Sequence, residues 1–506
     1  MDQAGAQDLR EPVLSGRFLG KTPAGGALAD WLVREDARAG LETWFGEAWL
    51  VWLASQPARA SVLRSALDRD IAAIDAMLSA QLDAVLHHAR VRGLEGSWRG
   101  LAWLVNRLPP TGGRVRVKVL SARWTEICRD LERALEFDQS HLFRKIYEEE
   151  FGMPGGEPYG LIIGDYEVQH RPSRDHPTDD VSALRQLAGI AAAAFAPTML
   201  GASPELLGLD RFDEVPASLD LSFNLRGPDY ARWRSLASQE DARFLSVALP
   251  HVLARPPWPD DGSRADGFRF RTYTPGPGQR VWTSAVYGFA AVAVRAFDRY
   301  SWPAEVRGAD VSDEARGGIL DGLATERFPS DCANEPSPRA PLDLLLTDDQ
   351  ESQLAHAGLV ALCALEGLPE ASFGALPALN RPPRMTSAIA DANQRISSQF
   401  NSLLCVSRFA HCIKLIGRDM TGSFADPADV QLRLQKWLEG FVSGSVGGQD
   451  DTARYPLLDA RVEVRERAGF PGQYSCTVHL KPHHQLDEIG ATFRFVTQFE
   501  SRDKAA

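Results

Sequence analysis

From residue 61 the apolar positions fall into a regular spacing. Leu63, Leu67, Ile71, Ile74, Leu78, Leu82 and Val85 recur at steps of three and four, with charged residues between them. That period predicts one long amphipathic helix over 61–88 with Ser61 as its N-cap, its stripe narrow enough to pack on a single partner helix. Upstream, Gly/Ala-rich KTPAGGALADWL precedes LETWFGEAWLVWLASQP, whose aromatics fall at helical spacing; this predicts an N-terminal arm and one or two small helices. RVRVKVLSA (114–122) alternates Arg or Lys with Val, the period of a half-buried strand. A helix is expected from about 124 to 150, then a strand in LIIGDYEV and an Ala-rich helix in DVSALRQLAGIAAAAFAP. Strands alternating with long helices predict an α/β core.

The last part of the chain reads differently. NQRISSQFNSLLCVSRFAHCIKLIGRDM and ADPADVQLRLQKWLEGFVSG are helical by period and are joined through TGSF. LDARVEVRE, YSCTVHLKP and IGATFRFVTQF then alternate strictly, with AGFPGQ as a turn between the first two. The expectation is a mixed α/β (α+β) chain closing in a three-stranded antiparallel sheet. Such a sheet at a chain end leaves edges to cover and invites completion by strands from neighbouring subunits. The domain expectation is an arm with small helices over 1–57, an α/β core over 58–378 and a C-terminal domain over 379–506. Proline and charge clusters at 260–265 and 330–341 read as loops or insertions.

Composition narrows the function. A chain of 506 residues that is 44% hydrophobic and 24% charged can bury a sizeable core. A formal charge of −12 argues against nucleic-acid binding, which relies on basic surface to displace counterions. The start, MDQAGAQDLREPV, lacks a basic n-region and an apolar h-region, so a cytoplasmic location is expected. The apolar stretches at 187–200 and 284–297 are shorter than the ~20 residues of a membrane span and read as buried helices. Six cysteines, with no CxxC pair, read as reduced, mostly buried thiols.

The stretch EFGMPGGEPYGLIIGDYEV (150–168) asks whether a Gly-rich loop holds a phosphate, presents catalytic acids or simply turns the chain. It lacks the lysine and the spacing of a phosphate cradle and carries an acidic residue, so the turn is favoured. Asp165 and Glu167 sit two apart, with Glu157 nearby, a pattern general acid/base chemistry could use. Among 67 acidic residues such pairs arise by chance, and strand-end charges are the plainer reading. His479, His483 and His484, and the adjacent His87 and His88, read as surface histidines rather than metal ligands. In FAHC, His411 and Cys412 are helix neighbours that point different ways. Neither GxSxG nor HExxH occurs. No catalytic, cofactor or metal residue is assigned.

Several longer segments together resemble one family, the large subunit of the type VI secretion contractile sheath (TssC, VipB). The resemblance rests above all on EEEFGMPGGEPYGLIIGDYE, YARWRSLASQEDARFLSVALPHVLARPP, CVSRFAHCIKLIGRDMTGSF and PGQYSCTVHLKPHHQLDE, and runs in order from about 58 to 498. It implies a structural protein, not an enzyme, that pairs with a small sheath subunit (TssB or VipA) and stacks with neighbouring large subunits around an inner Hcp tube. Contraction of such a sheath on its baseplate drives the tube outward, and a ClpV-like ATPase disassembles the spent sheath. The resemblance implies small-subunit contacts on the helix carrying Leu63, Leu67, Ile71, Ile74, Leu78 and Val85. It implies strand exchange on the sheet containing Arg461, Val462, Glu463, Val464, Tyr474, Cys476 and Val478. Asp426, Asp429 and Glu439 are the candidates for tube contacts, and REPVLSGRFLG for an exchange strand donated by this chain. Two alternatives stay open: a soluble hydrolase using Asp165, Glu167 or Glu157, and a non-contracting adaptor derived from a sheath subunit.

Overall fold

Four short apolar runs build the parallel part of the central sheet: β1 (Ile162–Val168), β2 (Thr198–Ala202), β3 (Leu245–Leu249) and, later in the chain, Leu359–Ala364. They are known from a computed structural model that describes residues 9–17, 23–33, 35–109, 114–216, 218–259, 267–268, 270–272, 274, 276–310, 316–326, 339–383, 387, 394, 397–420, 426–443, 449–466, 473–483 and 493–500. By contact the chain divides into two units, residues 1–92 with 257–280, and residues 93–256 with 281–506.

The first unit is helical: α1 (Arg10–Leu14), α2 (Pro23–Leu32), α3 (Ala37–Phe45), α4 (Glu47–Ala54) and α5 (Arg59–Leu86). Its core is aromatic, with Trp44 and Phe45 buried among Leu9, Val13, Trp31, Leu63, Leu67 and Ile74. One buried carboxylate locks it. Asp70 accepts two bonds from the Arg10 guanidinium, at 2.6 and 2.7 Å, and one from the Trp44 indole at 3.0 Å. Burial works against the charge on Asp70, but these donors outweigh it and hold the carboxyl below its usual range. The long helix was correctly expected, but it starts at Arg59 with Ala58 in the cap position and no side-chain cap, so Ser61 lies inside it. The segment proposed as a donated strand begins as helix α1 over Arg10–Leu14, which corrects that expectation for the isolated chain.

In the second unit the sheet runs β1-β2-β3-β9-β10-β8, where β8 is Ile319–Leu320, β9 is Leu359–Ala364 and β10 is Ala371–Phe373. The first four strands are parallel, β10 runs antiparallel to β9, and β8 antiparallel to β10. Alternate residues feed two separate cores. Leu200, Val247, Leu359 and Ala361 join one face, Met199, Ala248, Val360 and Leu362 the other. Both faces are covered, which is why these strands are apolar almost throughout. Helix α9 (Asp180–Ala194) packs on the first face and α11 (Ala285–Tyr300) on the second. Asp179 and Ser284 cap them by accepting from Ser182 N–H at 3.3 Å and Val286 N–H at 3.4 Å. The apolar stretch 187–200 is therefore helix only to Ala194 and becomes β2 at Thr198. Helix α6 (Ala89–Val105) approaches β5 (Val281–Ser284) at Gly96, where a Cβ would sit 2.1 Å from the carbonyl oxygen of Trp282.

Two expectations around the glycine-rich loop are corrected. Residues 114–123 carry no hydrogen-bonded secondary structure, because no strand among the described residues lies beside them to pair. The helix expected over 124–150 is α7 (Trp124–Arg133), then a turn, the short α8 (His141–Phe143) and a π-helical run Arg144–Gly152. The loop itself is a turn into β1, with Gly155 at φ +86° and Gly156 so close to Glu150 that a Cβ would meet its carbonyl oxygen at 2.3 Å. Cys128, Cys363, Cys405, Cys412 and Cys476 are free thiols, and burial pushes Cys128, Cys405 and Cys476 up to about 12. The loops expected at 260–265 and 330–341 fall mostly outside the described residues, as do Cys332 and His484.

Candidate assembly surfaces

The C-terminal sheet forms as its alternation predicts. β11 (Leu457–Glu466), β12 (Gln473–Pro482) and β13 (Phe493–Glu500) are antiparallel in that order, with Val462 opposite Val478 and Val464 opposite Cys476. Val462, Val464, Cys476 and Val478 are buried against α13 (Phe400–Met420) and α14 (Pro427–Glu439), while Tyr474 packs half-buried beside them. Trp302 and Phe409, stacked at 4.2 Å, complete this core with Trp437 and Phe441. Arg461, Glu463 and Arg465 point to the other face and pair at 3.2 and 3.3 Å.

The outer edge of β11 is not open. Gln435 accepts from Val462 N–H at 2.9 Å and donates to Ala460 O at 3.0 Å, and Gln431 accepts from Val464 N–H at 3.1 Å. Leu457 is taken by Phe441 O and Ser443 N–H at 3.2 and 3.0 Å. A primary amide carries one carbonyl and N–H donors, so two glutamines one helical turn apart imitate a neighbouring strand. Sequence reasoning missed this cap, although Gln431 and Gln435 at i, i+4 on a helix preceding a sheet was its available signal. β13 pairs with β12 on one side, and no described strand pairs with its other side.

Helix α5 divides its stripe between two tasks. Leu63, Leu67 and Ile74 pack into the aromatic core of the first unit. Ile71, Leu78 and Val85, seven apart, are 55%, 44% and 47% exposed. Asp426, Asp429 and Glu439 are exposed on and beside α14; Asp426 occupies the N-cap position without a side-chain cap bond, and Glu439 accepts from Gln435 at 3.2 Å.

The three acids weighed for catalysis go to three different partners. Asp165 accepts from the Tyr287 phenol at 3.0 Å, Glu157 pairs with Arg116 at 2.5 Å, and Glu167 meets His251 at 3.0 Å. A bulge between Gly164 and Glu167 in β1 interrupts the regular alternation there. His251, on β4 (His251–Arg255), is clamped on its other nitrogen by Asp343 at 2.7 Å. Burial works against an imidazolium, but Asp343 and Glu167 outweigh it and raise His251 well above its usual value. Both ring nitrogens then donate, so this is a cation held between two carboxylates, with no lone pair left to act as a base. His411, fully buried, donates its Nε2–H to Ala194 O at 3.0 Å, and burial lowers it to about 4. Among the described residues no group of three or more His, Cys, Asp or Glu is placed to hold a metal ion, and no helix is long and apolar enough to cross a membrane.

A family model described as the EvpB/VC_A0108 tail sheath N-terminal domain (VipB) matches residues 68–380, and one for the tail sheath gpW/gp25-like domain of the same family matches residues 389–499. A relative from Pseudomonas aeruginosa, the type VI secretion system sheath protein TssC1, is 34% identical over 441 residues, covering 86% of each chain. A chain of the anti-feeding prophage baseplate structure aligns over 78% of this chain and 80% of its own at 11% identity, with a TM-score of 0.33.

Proposed function

Because the chain belongs to the VipB family of type VI secretion sheath large subunits, we propose that it pairs with a small TssB-like subunit in the cytoplasm and polymerises around an Hcp-like inner tube, which sheath contraction ejects. The observation that carries the pairing is the open stripe of Ile71, Leu78 and Val85 on a 28-residue helix. Apolar side chains seven apart along a helix form the seam another helix packs into.

Strand exchange would tether neighbours while domains rotate in contraction, because backbone ladders tolerate movement of whatever is attached to them. With β11 closed by Gln431 and Gln435, the strands added by neighbours would join at β13. The acids Asp426, Asp429 and Glu439 would meet the tube through exposed ionic contacts, which suits a surface that must release. The proposed boundaries at 57 and 378 would separate arm, core and exchange domain. A baseplate would anchor the sheath and a ClpV-like ATPase recycle it. No cofactor is required. The three acids are each occupied by a partner, which removes the observation that favoured a hydrolase.

Co-expression with the small subunit followed by electron microscopy tests this reading. Hollow tubules are expected. A soluble one-to-one complex that never polymerises would favour the non-contracting adaptor, and failure to bind the small subunit would end the proposal.

A further inference from the structure

The stretch of β11 from Asp459 to Arg465 reads DARVEVR, and its charges are complementary to themselves in reverse. If two copies of it lie antiparallel about Val462, Asp459 stands opposite Arg465, Arg461 opposite Glu463 and Ala460 opposite Val464, each pair occurring twice. The backbone agrees with that register. Ala460, Val462 and Val464 turn backbone groups to the outer edge, where Gln435 and Gln431 meet them, so Val462 with Val462 and Ala460 with Val464 would be the hydrogen-bonded pairs. The charged residues then fall on the closer, non-hydrogen-bonded pairs, where opposite charges stabilise and like charges do the reverse. In the single chain Arg461 and Arg465 share one carboxylate, Glu463, on their own strand. A second strand would give each arginine a carboxylate of its own.

We propose that this edge of β11 is a latent two-fold contact between copies of the chain, held shut by Gln431 and Gln435. The groups the two glutamines occupy, Val462 N–H, Ala460 O and Val464 N–H, are among those a second β11 would bond. At Leu457 the edge is closed by backbone, through Phe441 and Ser443. The part guarded by side chains is therefore the part that is self-complementary. Val430 and Leu434, each next to one of the glutamines, are buried in the same core as Val462 and Val464, which fixes α14 where its amides reach the edge. A strand edge left bare is a template for another chain, and amides that imitate a neighbouring strand remove the template. The consequence is for assembly. A two-fold pair is closed, joining two copies and leaving nothing at that edge for a third, so it would compete with any polymer that grows by repeated contact of unlike surfaces. The inference does not depend on the small subunit.

Sedimentation equilibrium of the full chain, without any partner, tests this. The double variant Gln431→Ala, Gln435→Ala should pair with itself at least tenfold more tightly than the unsubstituted chain. Gln431→Asn, Gln435→Asn should do the same, because each amide then falls one methylene short of the edge while α14 keeps its polarity. Adding Arg461→Glu to either variant sets like charges opposite each other and should return the mass to that of one copy. Adding Glu463→Arg as well restores opposite charges and should restore the pair. Amide exchange gives a second readout: at Val462 and Val464 it should be fast in the dilute double variant and slow again on concentration. Double variants that stay single at every concentration, with those amides exchanging freely, overturn the inference. So does a pair that ignores Arg461→Glu, since it forms through another surface.

Discussion

His251 and His411 show how one residue type takes opposite charges in one fold. His251 lies between Asp343 and Glu167, which raise it well above the ~6.5 of an unfolded histidine. Its contribution to stability is therefore complete below that unfolded value and is lost as pH rises through the raised folded one. His251→Gln should destabilise the chain by about 2–3 kcal/mol at pH 6, the scale of hydrogen bonds to charged groups. It should also flatten the alkaline fall of the urea midpoint that the unsubstituted chain shows. His411 is neutral, with a value of about 4, so the unfolded chain binds the extra proton below ~6.5. Stability should fall as pH drops from there toward 4, and His411→Phe should remove that acid slope while losing the bond to Ala194. Neither role was legible in the sequence. His251 was passed over because its two carboxylates lie 84 and 92 positions away, and only the sheet brings them together.

Elements were legible where one period served one surface. The strands of the C-terminal sheet, the Ala-rich helix and most of α5 follow from their spacing, because burial on one side fixes which residues must be apolar. Residues 114–122 have the strand period but no strand beside them, so alternation named a shape without supplying hydrogen bonds. The glutamine cap of β11 has the converse history: polar residues on a helix read as solvated, while two of them bond backbone. Gln435→Ala should cost about 1–2 kcal/mol by leaving Val462 N–H and Ala460 O without partners. Faster amide exchange at Val462 is the readout. In the helical unit, Asp70→Ala would remove two bonds from the Arg10 guanidinium and the acceptor of the Trp44 indole, for a loss of about 3 kcal/mol. Limited proteolysis should cut residues 9–86 sooner, a local measure that a chain of several cooperative units requires.

At the scale of the whole molecule, the test is whether assembly can be removed without touching the fold. Ile71→Ser, Leu78→Ser and Val85→Ser together should leave thermal unfolding of the chain within about 1 kcal/mol, because exposed positions contribute little to the core. The same triple variant should abolish co-purification with the small subunit; unchanged binding would move the interface off α5. The sequence by itself determined the mixed α/β class, the closing antiparallel sheet and the family, because period and long motifs are written in local order. Tertiary structure alone decided which face of α5 is spent internally, which edge of the terminal sheet is already capped, and that a strand-like segment finds no described strand to pair with. Those outcomes depend on residues far apart in the chain competing for the same hydrogen bonds and the same buried surface, and local spacing carries no record of that competition.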